Sequence, residues 1–281
     1  MSYKRDGRHH VLTFESVTEV ANVLDNLMAT DKDTASYFER EMSGYLNEWF
    51  GADSVQDAVT SMLVGLPDEG IRAAEDASDF VARVQDESPA FATVWDVSGH
   101  TVDVGAFLSG EPECMLTDVM APTTQTVVPI VVQAGLAASI EADSVTAYGR
   151  QIMRLLLSVD AMGMQSEVWA DLTCTGKSDS DVLTIRVRIK AAGEYLDPGV
   201  IAYAVTRAGF CRGIMFPLFH TLPEHVGHKF GTFGWYGVHG SGAKARPNQY
   251  PDGAFILPRL VEDDDAKRDI VTPVLDKLTG R

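Results

Sequence analysis

One stretch constrains this chain more than any other: a buried strand, a long amphipathic helix and a second strand follow one another directly. Val127 to Ala134 is apolar except at Gln133 and rich in β-branched residues, as expected of a central strand covered on both faces. A loop leads to Asp143-Ser144, a plausible N-cap, and the helix beyond it lines up Val145, Tyr148, Ile152, Leu155, Leu156 and Val159 before Gly163 ends it. Strand Gln165 to Leu172 completes a βαβ crossover, which demands a parallel sheet with a right-handed connection. The next strand alternates Leu183, Ile185, Val187 and Ile189 with Thr184, Arg186, Arg188 and Lys190, so one wet face is expected. It is predicted to pair antiparallel with 167–172 through the polar turn 175–181.

The first ninety residues read as helices. Ser16 and Glu19 make a capping box ahead of Val17, Val20, Ala21, Leu24 and Leu27. A second helix is expected over 35–50, a third from Asp53 or Ser54 to Gly65, and a fourth over 68–84. Near Ser88-Pro89 the pattern changes to short β-rich segments, Phe91 to Val97 and Thr101 to Val104, around Ser98-Gly99. The expected organisation is therefore a helical module over 1–90 and an α/β domain over 91–281. Within that domain, helices are predicted over 197–207 and 211–220. Residues 221–253 form a Gly-, His- and aromatic-rich loop without helical period. A strand over 254–260 follows, and Asp263-Asp264-Asp265 caps a last helix that Pro273 kinks.

Composition removes several function classes. The longest apolar run, Val127 to Val132, falls far short of the roughly 20 residues of a membrane-spanning helix. Subtracting 40 Asp+Glu from 23 Lys+Arg leaves −17, a mean field that repels nucleic acid. Cys114, Cys174 and Cys211 are odd in number and widely spaced, which suits a reducing compartment better than a disulfide framework. Met1 to Asp6 lacks an apolar segment behind its basic residues, so no signal peptide is expected.

Local motifs carry little chemistry. Gly176-Lys177-Ser178 lacks a phosphate loop's first glycine, since Asp171 stands there, and a strand follows instead of a helix. Gly237-Val238-His239-Gly240-Ser241-Gly242-Ala243-Lys244 misses the register by one residue. With Arg246 it offers at most an anion-binding nest. Cys114 has no neighbouring base or cation and reads as a small buried hydrophobe. His220, His225 and His228, with His239 beyond, are spaced so that three imidazoles could hold zinc, but no H-E-x-x-H helix accompanies them. Arg186, Arg188 and Lys190 form a basic stripe that Glu167 and Asp171 on the neighbouring strand are placed to neutralise.

After residue 126 the order of buried strand, loop, amphipathic helix and strand hairpin resembles a von Willebrand factor A domain. The resemblance implies a three-layer sheet with flanking helices and a cation-binding D-x-S-x-S loop. Its counterpart here is Gln133-Ala134-Gly135-Leu136-Ala137, without carboxylate or hydroxyl at the ligand positions. Three further stretches resemble an uncharacterised family of actinobacteriophage proteins. They are Trp49-Phe50-Gly51 to Gly65-Leu66-Pro67-Asp68-Glu69-Gly70, Val102-Asp103-Val104-Gly105 to Glu113-Cys114-Met115, and Gly149-Arg150 to Glu167-Val168-Trp169. That likeness implies a protein of the infected bacterial cytoplasm or of the virion, and no reaction.

Together these features lead to the expectation of a non-enzymatic binding or assembly protein that contacts another protein, or itself as a homo-oligomer. The expected contact residues are Phe230, Phe233, Trp235 and Tyr236, aromatics presented on a scaffold. No cofactor is expected under that reading. The rival is a zinc-assisted hydrolase using His220, His225 and His228. A third reading is nucleic-acid binding through Arg186, Arg188, Lys190, Lys244 and Arg246, which the net charge disfavours.

Overall fold

The computed structural model describes residues 1–43, 47–87, 91–120, 126–137, 139–176, 181–230 and 250–280, and in it the chain opens on a β-hairpin where helices were expected. β1 (Ser2–Asp6) pairs antiparallel with β2 (His9–Phe14). His10, Leu12 and Phe14 are buried at alternate positions, the period of a strand. α1 (Val17–Thr30) then starts at the predicted cap: Ser16 Oγ accepts from Glu19 N at 3.1 Å, and the Glu19 carboxylate accepts from Glu15 N at 2.8 Å. α2 (Lys32–Met42) is capped by Asp31 and stops short of the expected residue 50, and Asn47–Phe50 forms a separate turn, α3. α4 (Val55–Val64) runs from its Ser54 cap to Gly65, whose φ of 83° ends the helix, and α5 (Pro67–Glu87) follows.

Next come β3 (Phe91–Asp96), β4 (Thr101–Val102), the short helix α6 (Val104–Leu108) and β5 (Met115–Met120). These strands make their own antiparallel sheet in the order β3-β5-β4. The main sheet resumes with β6 (Val127–Gln133), crosses over through α7 (Ala142–Ala161) to β7 (Gln165–Thr175), and turns into β8 (Val182–Lys190). α7 begins at Ala142 behind Glu141 rather than at the predicted Asp143-Ser144 cap, and Gly163 at φ 72° follows its end.

α8 (Pro198–Thr206) is capped by Asp197; beyond it the predicted 211–220 helix is a π-turn, Phe210–Met215, and a 3₁₀ turn, Pro217–Thr221. α9 (Glu224–Phe230) gives helical structure to residues expected to be loop. β9 shrinks to Phe255–Ile256; the three aspartates lie in a 3₁₀ turn, and Pro273 sits in the first turn of α10 (Thr272–Thr279) without kinking it.

The result is a mixed α/β protein with a six-stranded sheet ordered β1-β2-β8-β7-β6-β9 and helices around it. β2/β8, β7/β6 and β6/β9 are parallel, and β1/β2 and β8/β7 antiparallel. The α7 stripe is buried in full, each side chain worth about 1.5–3 kcal/mol. A Cβ on Gly149 would overlap the Val205 carbonyl, so glycine lets α7 and α8 meet backbone to backbone. One apolar core joins Leu24, Phe38 and Met62 of the N-terminal helices to Ile130 and Ile185 of the sheet. No helix among the described residues is long and apolar enough to cross a membrane.

The expected wet face of β8 is a correction. Thr184, Arg186 and Lys190 are all buried. The reason is pairing: Arg186 stands opposite Asp171 in the β7/β8 register and grips it with two hydrogen bonds of 3.1 Å. Tyr250 donates its hydroxyl to the same carboxylate and lays its ring 4.0 Å from the guanidinium. Burial pushes the Asp171 carboxyl upward while Arg186 and Tyr250 oppose it.

Candidate functional site

The small sheet departs from the rest of the molecule in what it leaves uncovered. None of residues 94–117 is buried. Trp95 is 61% exposed, Phe107 61% and Leu108 78%, and Val97, Val102 and Val104 are exposed beside them. Val104, Phe107 and Leu108 stand at i, i+3 and i+4 of α6 and therefore share one helix face.

That exposed unit is built, not loose. Six residue pairs from Phe91↔Met120 to Asp96↔Met115 join β3 to β5. The Ser98-Gly99 turn lies directly on Leu116, where a Cβ at Gly99 would overlap the backbone, and His100 N donates to Leu116 O at 2.9 Å. Asp103 ties two parts together. Its carboxylate accepts from Ala106 N at 3.1 Å, capping α6, and from the Trp95 indole N–H at 3.3 Å. Those two donors hold its carboxyl below the usual carboxylate range. Trp95 is thereby tied to the N-terminal end of α6, with its ring in solvent.

The residues expected to make contacts lie elsewhere. Phe230 is 0% exposed and packs edge-on against the His10 ring at 5.1 Å, so it belongs to the core. Phe233, Trp235 and Tyr236 fall outside the described residues, as do Lys177, Ser178, His239, Lys244 and Arg246. The three histidines of the zinc reading do not come together. His220 faces Phe38 at 5.8 Å, with burial lowering its pKa against the pull of Asp31. His225 and His228 are exposed on α9, the latter 3.4 Å from Glu224. Among the described residues no three His, Cys, Asp or Glu side chains are grouped to hold a metal.

The basic stripe is likewise spoken for. Arg186 is buried on Asp171, Lys190 donates to Ser166 O at 2.7 Å, and Arg188 meets Glu15 at 3.2 Å. Glu167, expected to neutralise the stripe, accepts the Trp169 indole N–H instead. Burial raises the Cys174 and Cys211 thiols, which removes them as thiolate nucleophiles, and Cys114 is half-buried rather than buried.

The carboxyl end of β6 is where open α/β sheets commonly hold ligands. Gln133, Tyr148, Arg207 and Cys211 line a crevice there of about 20 Å³, room for roughly one water. The loop beyond is held by cationic and indole donors: Arg259 Nε to Gly135 O at 3.0 Å, Arg212 Nη2 to Leu136 O at 3.0 Å, and Trp49 Nε1 to Ile140 O at 2.7 Å. A hard cation does not fit, because Gln133, Gly135 and Ala137 supply neither carboxylate nor hydroxyl.

A family model described as a domain of unknown function, DUF7192, matches residues 3–280, almost the whole chain. The chain belongs to the DUF7192 family. No curated protein and no solved structure matches it. Membership in DUF7192 assigns no activity, so the site must be argued from its own geometry.

The β-rich segments 91–97 and 101–104 marked two strands of the small sheet, but its central strand, β5, and its role were not read from the sequence. The signal available was local: Val102, Val104, Phe107 and Leu108 crowd between turn residues Ser98-Gly99 and Ser109-Gly110-Glu111-Pro112, with Val97 just ahead of the first turn, on elements too short to reach a core.

Proposed function

We propose that this DUF7192 chain is a non-enzymatic binding or assembly protein whose contact surface is the small sheet and α6. One observation carries the reading: Trp95, Val102, Val104, Phe107 and Leu108 are held exposed on ordered backbone in a unit with no buried residue between 94 and 117. A three-stranded sheet needs a covered apolar face for independent stability, and a partner can supply that cover. Exposed aromatics fixed by a second residue, as Trp95 is by Asp103, suit interface anchors.

The main sheet serves as scaffold in this proposal. A von Willebrand factor A-like origin is supported by the neighbour order β8-β7-β6-β9 and the α7 crossover, with the cation loop replaced by carbonyls tied to Arg212 and Arg259. A phage origin, and residence in a host cytoplasm or virion, rests on the three stretches that resemble actinobacteriophage proteins.

Amide hydrogen exchange on the isolated chain tests the contact surface. Amides of 94–117 should exchange orders of magnitude faster than those of β7 and β8, because no buried core guards them. Protection of 94–117 equal to that of β7 in dilute monomer would mean the unit is already covered, and the proposal would fall.

A further inference from the structure

We infer that the occupant of this surface is a protein segment that combines apolar with basic side chains, such as one face of a cationic amphipathic helix; the inference rests on the contact surface proposed above. Its basis is charge. The chain has 23 Lys and Arg, yet none occurs between Arg83 and Arg150. The small sheet and α6 lie wholly inside that gap. In the same segment stand Asp96 and Asp103, half-buried, and Glu111 and Glu113, exposed. This segment therefore exposes apolar side chains together with carboxylates and carries no Lys or Arg of its own.

That combination selects. A second copy docking patch on patch would set one set of carboxylates against the other with no cation between them, a like-charge arrangement that costs affinity. Nucleic acid and anionic membranes meet the same repulsion. A segment with Leu or Phe anchors and flanking Lys or Arg fills the patch and neutralises the carboxylates, the helix-in-groove form of recognition. The carboxylates also steer approach, so association should slow as salt rises.

The test uses the full chain and two synthetic helical peptides that present one leucine face, the first with lysine on the opposite face and the second with glutamate. Binding is followed by fluorescence anisotropy, and self-association of the chain alone by sedimentation velocity. The Leu/Lys peptide should bind and the Leu/Glu peptide should bind at least tenfold more weakly. Phe107→Ser with Leu108→Ser should weaken Leu/Lys binding at least tenfold while the far-ultraviolet circular dichroism stays unchanged. Glu111→Lys with Glu113→Lys should weaken it several-fold; Glu39→Lys with Glu41→Lys on α2, the same charge change placed elsewhere, should not.

Equal weakening by the α2 pair would reduce the effect to net charge and overturn the inference, as would equal binding of both peptides. Self-association that Phe107→Ser with Leu108→Ser abolishes would make the occupant a second copy: the inference fails and the contact surface stands. If that pair alters neither peptide binding nor self-association, both fail.

Discussion

The two sheets of this protein invert each other. The large one buries charge: Asp171 and Arg186 sit between strands at 0% and 7% exposure, joined by two hydrogen bonds, with Tyr250 donating a third to the same carboxylate. The small one exposes hydrophobes: Trp95, Phe107 and Leu108 face solvent on a frame of backbone hydrogen bonds. An exposed apolar residue or a buried polar one is unremarkable alone, but a cluster of either needs a cause. For the large sheet the cause is internal, since strand pairing brings the ions together. For the small sheet the cause proposed above is a partner. The edges repeat the contrast. β1 carries Lys4, Arg5 and Asp6 on an exposed edge, the usual guard against unwanted pairing, whereas on β3 Asp96 is the sole charge.

Two phenylalanines give the comparison its sharpest test. Phe230→Ala should cost about 3–5 kcal/mol, the range for emptying a buried aromatic site, whereas Phe107→Ala should stay within about 0.5 kcal/mol. Urea denaturation measures both. Equal costs would erase the distinction between core and contact aromatic.

The buried ions come next. Asp171→Ala strands Arg186 in a nearly dry site and should destabilise by about 3–5 kcal/mol. Replacing both, Asp171→Leu with Arg186→Met, should recover most of that loss, because a packed apolar pair needs no counter-charge. Failure of the double variant to recover would show that Tyr250 and Trp169 depend on the ion pair for their own placement. Tyr250→Phe removes one donor from the Asp171 carboxylate and should cost less, about 1–3 kcal/mol.

The sequence made much of the scaffold legible and little of the site. α7 and its neighbours declared themselves because period 3.6 and an unbroken apolar strand are long-range patterns, repeated over enough residues to outweigh local noise. The Ser54 and Ser16 caps were readable because capping is local chemistry. β8 misled because alternation reports only that two faces differ: Arg186 reads as solvent-facing until Asp171 is placed opposite it. Phe230 misled in the reverse sense, since an aromatic beside Gly and His has the composition of a loop, while its burial depends on His10, 220 residues away in sequence. Of the small sheet only the segments 91–97 and 101–104 were seen as strands, β5 was missed, and the surface was passed over, because exposure is a property of what fails to pack, which no single stretch records.

The smallest effect concerns Asp103, which joins Trp95 to α6. Its folded carboxyl is held below 3.8, first by the Ala106 N–H and then by the Trp95 indole. A carboxylate with a depressed folded value contributes stability above its unfolded pKa and loses that contribution as pH falls through the folded value. The link between β3 and α6 should therefore be intact above pH about 4 and released progressively below it. Because the carboxylate lies at the surface, global stability should barely respond. The readout is instead the Trp95 indole N–H resonance, assigned by its loss in Trp95→Phe, which should shift through this acid range in the wild-type chain and hold still in Asp103→Asn. An indole signal that ignores pH while Asp103 titrates would show that the hydrogen bond does not position Trp95. The exposed face would then be less ordered than the contact surface requires, and the contrast between the two sheets would narrow to one of stability alone.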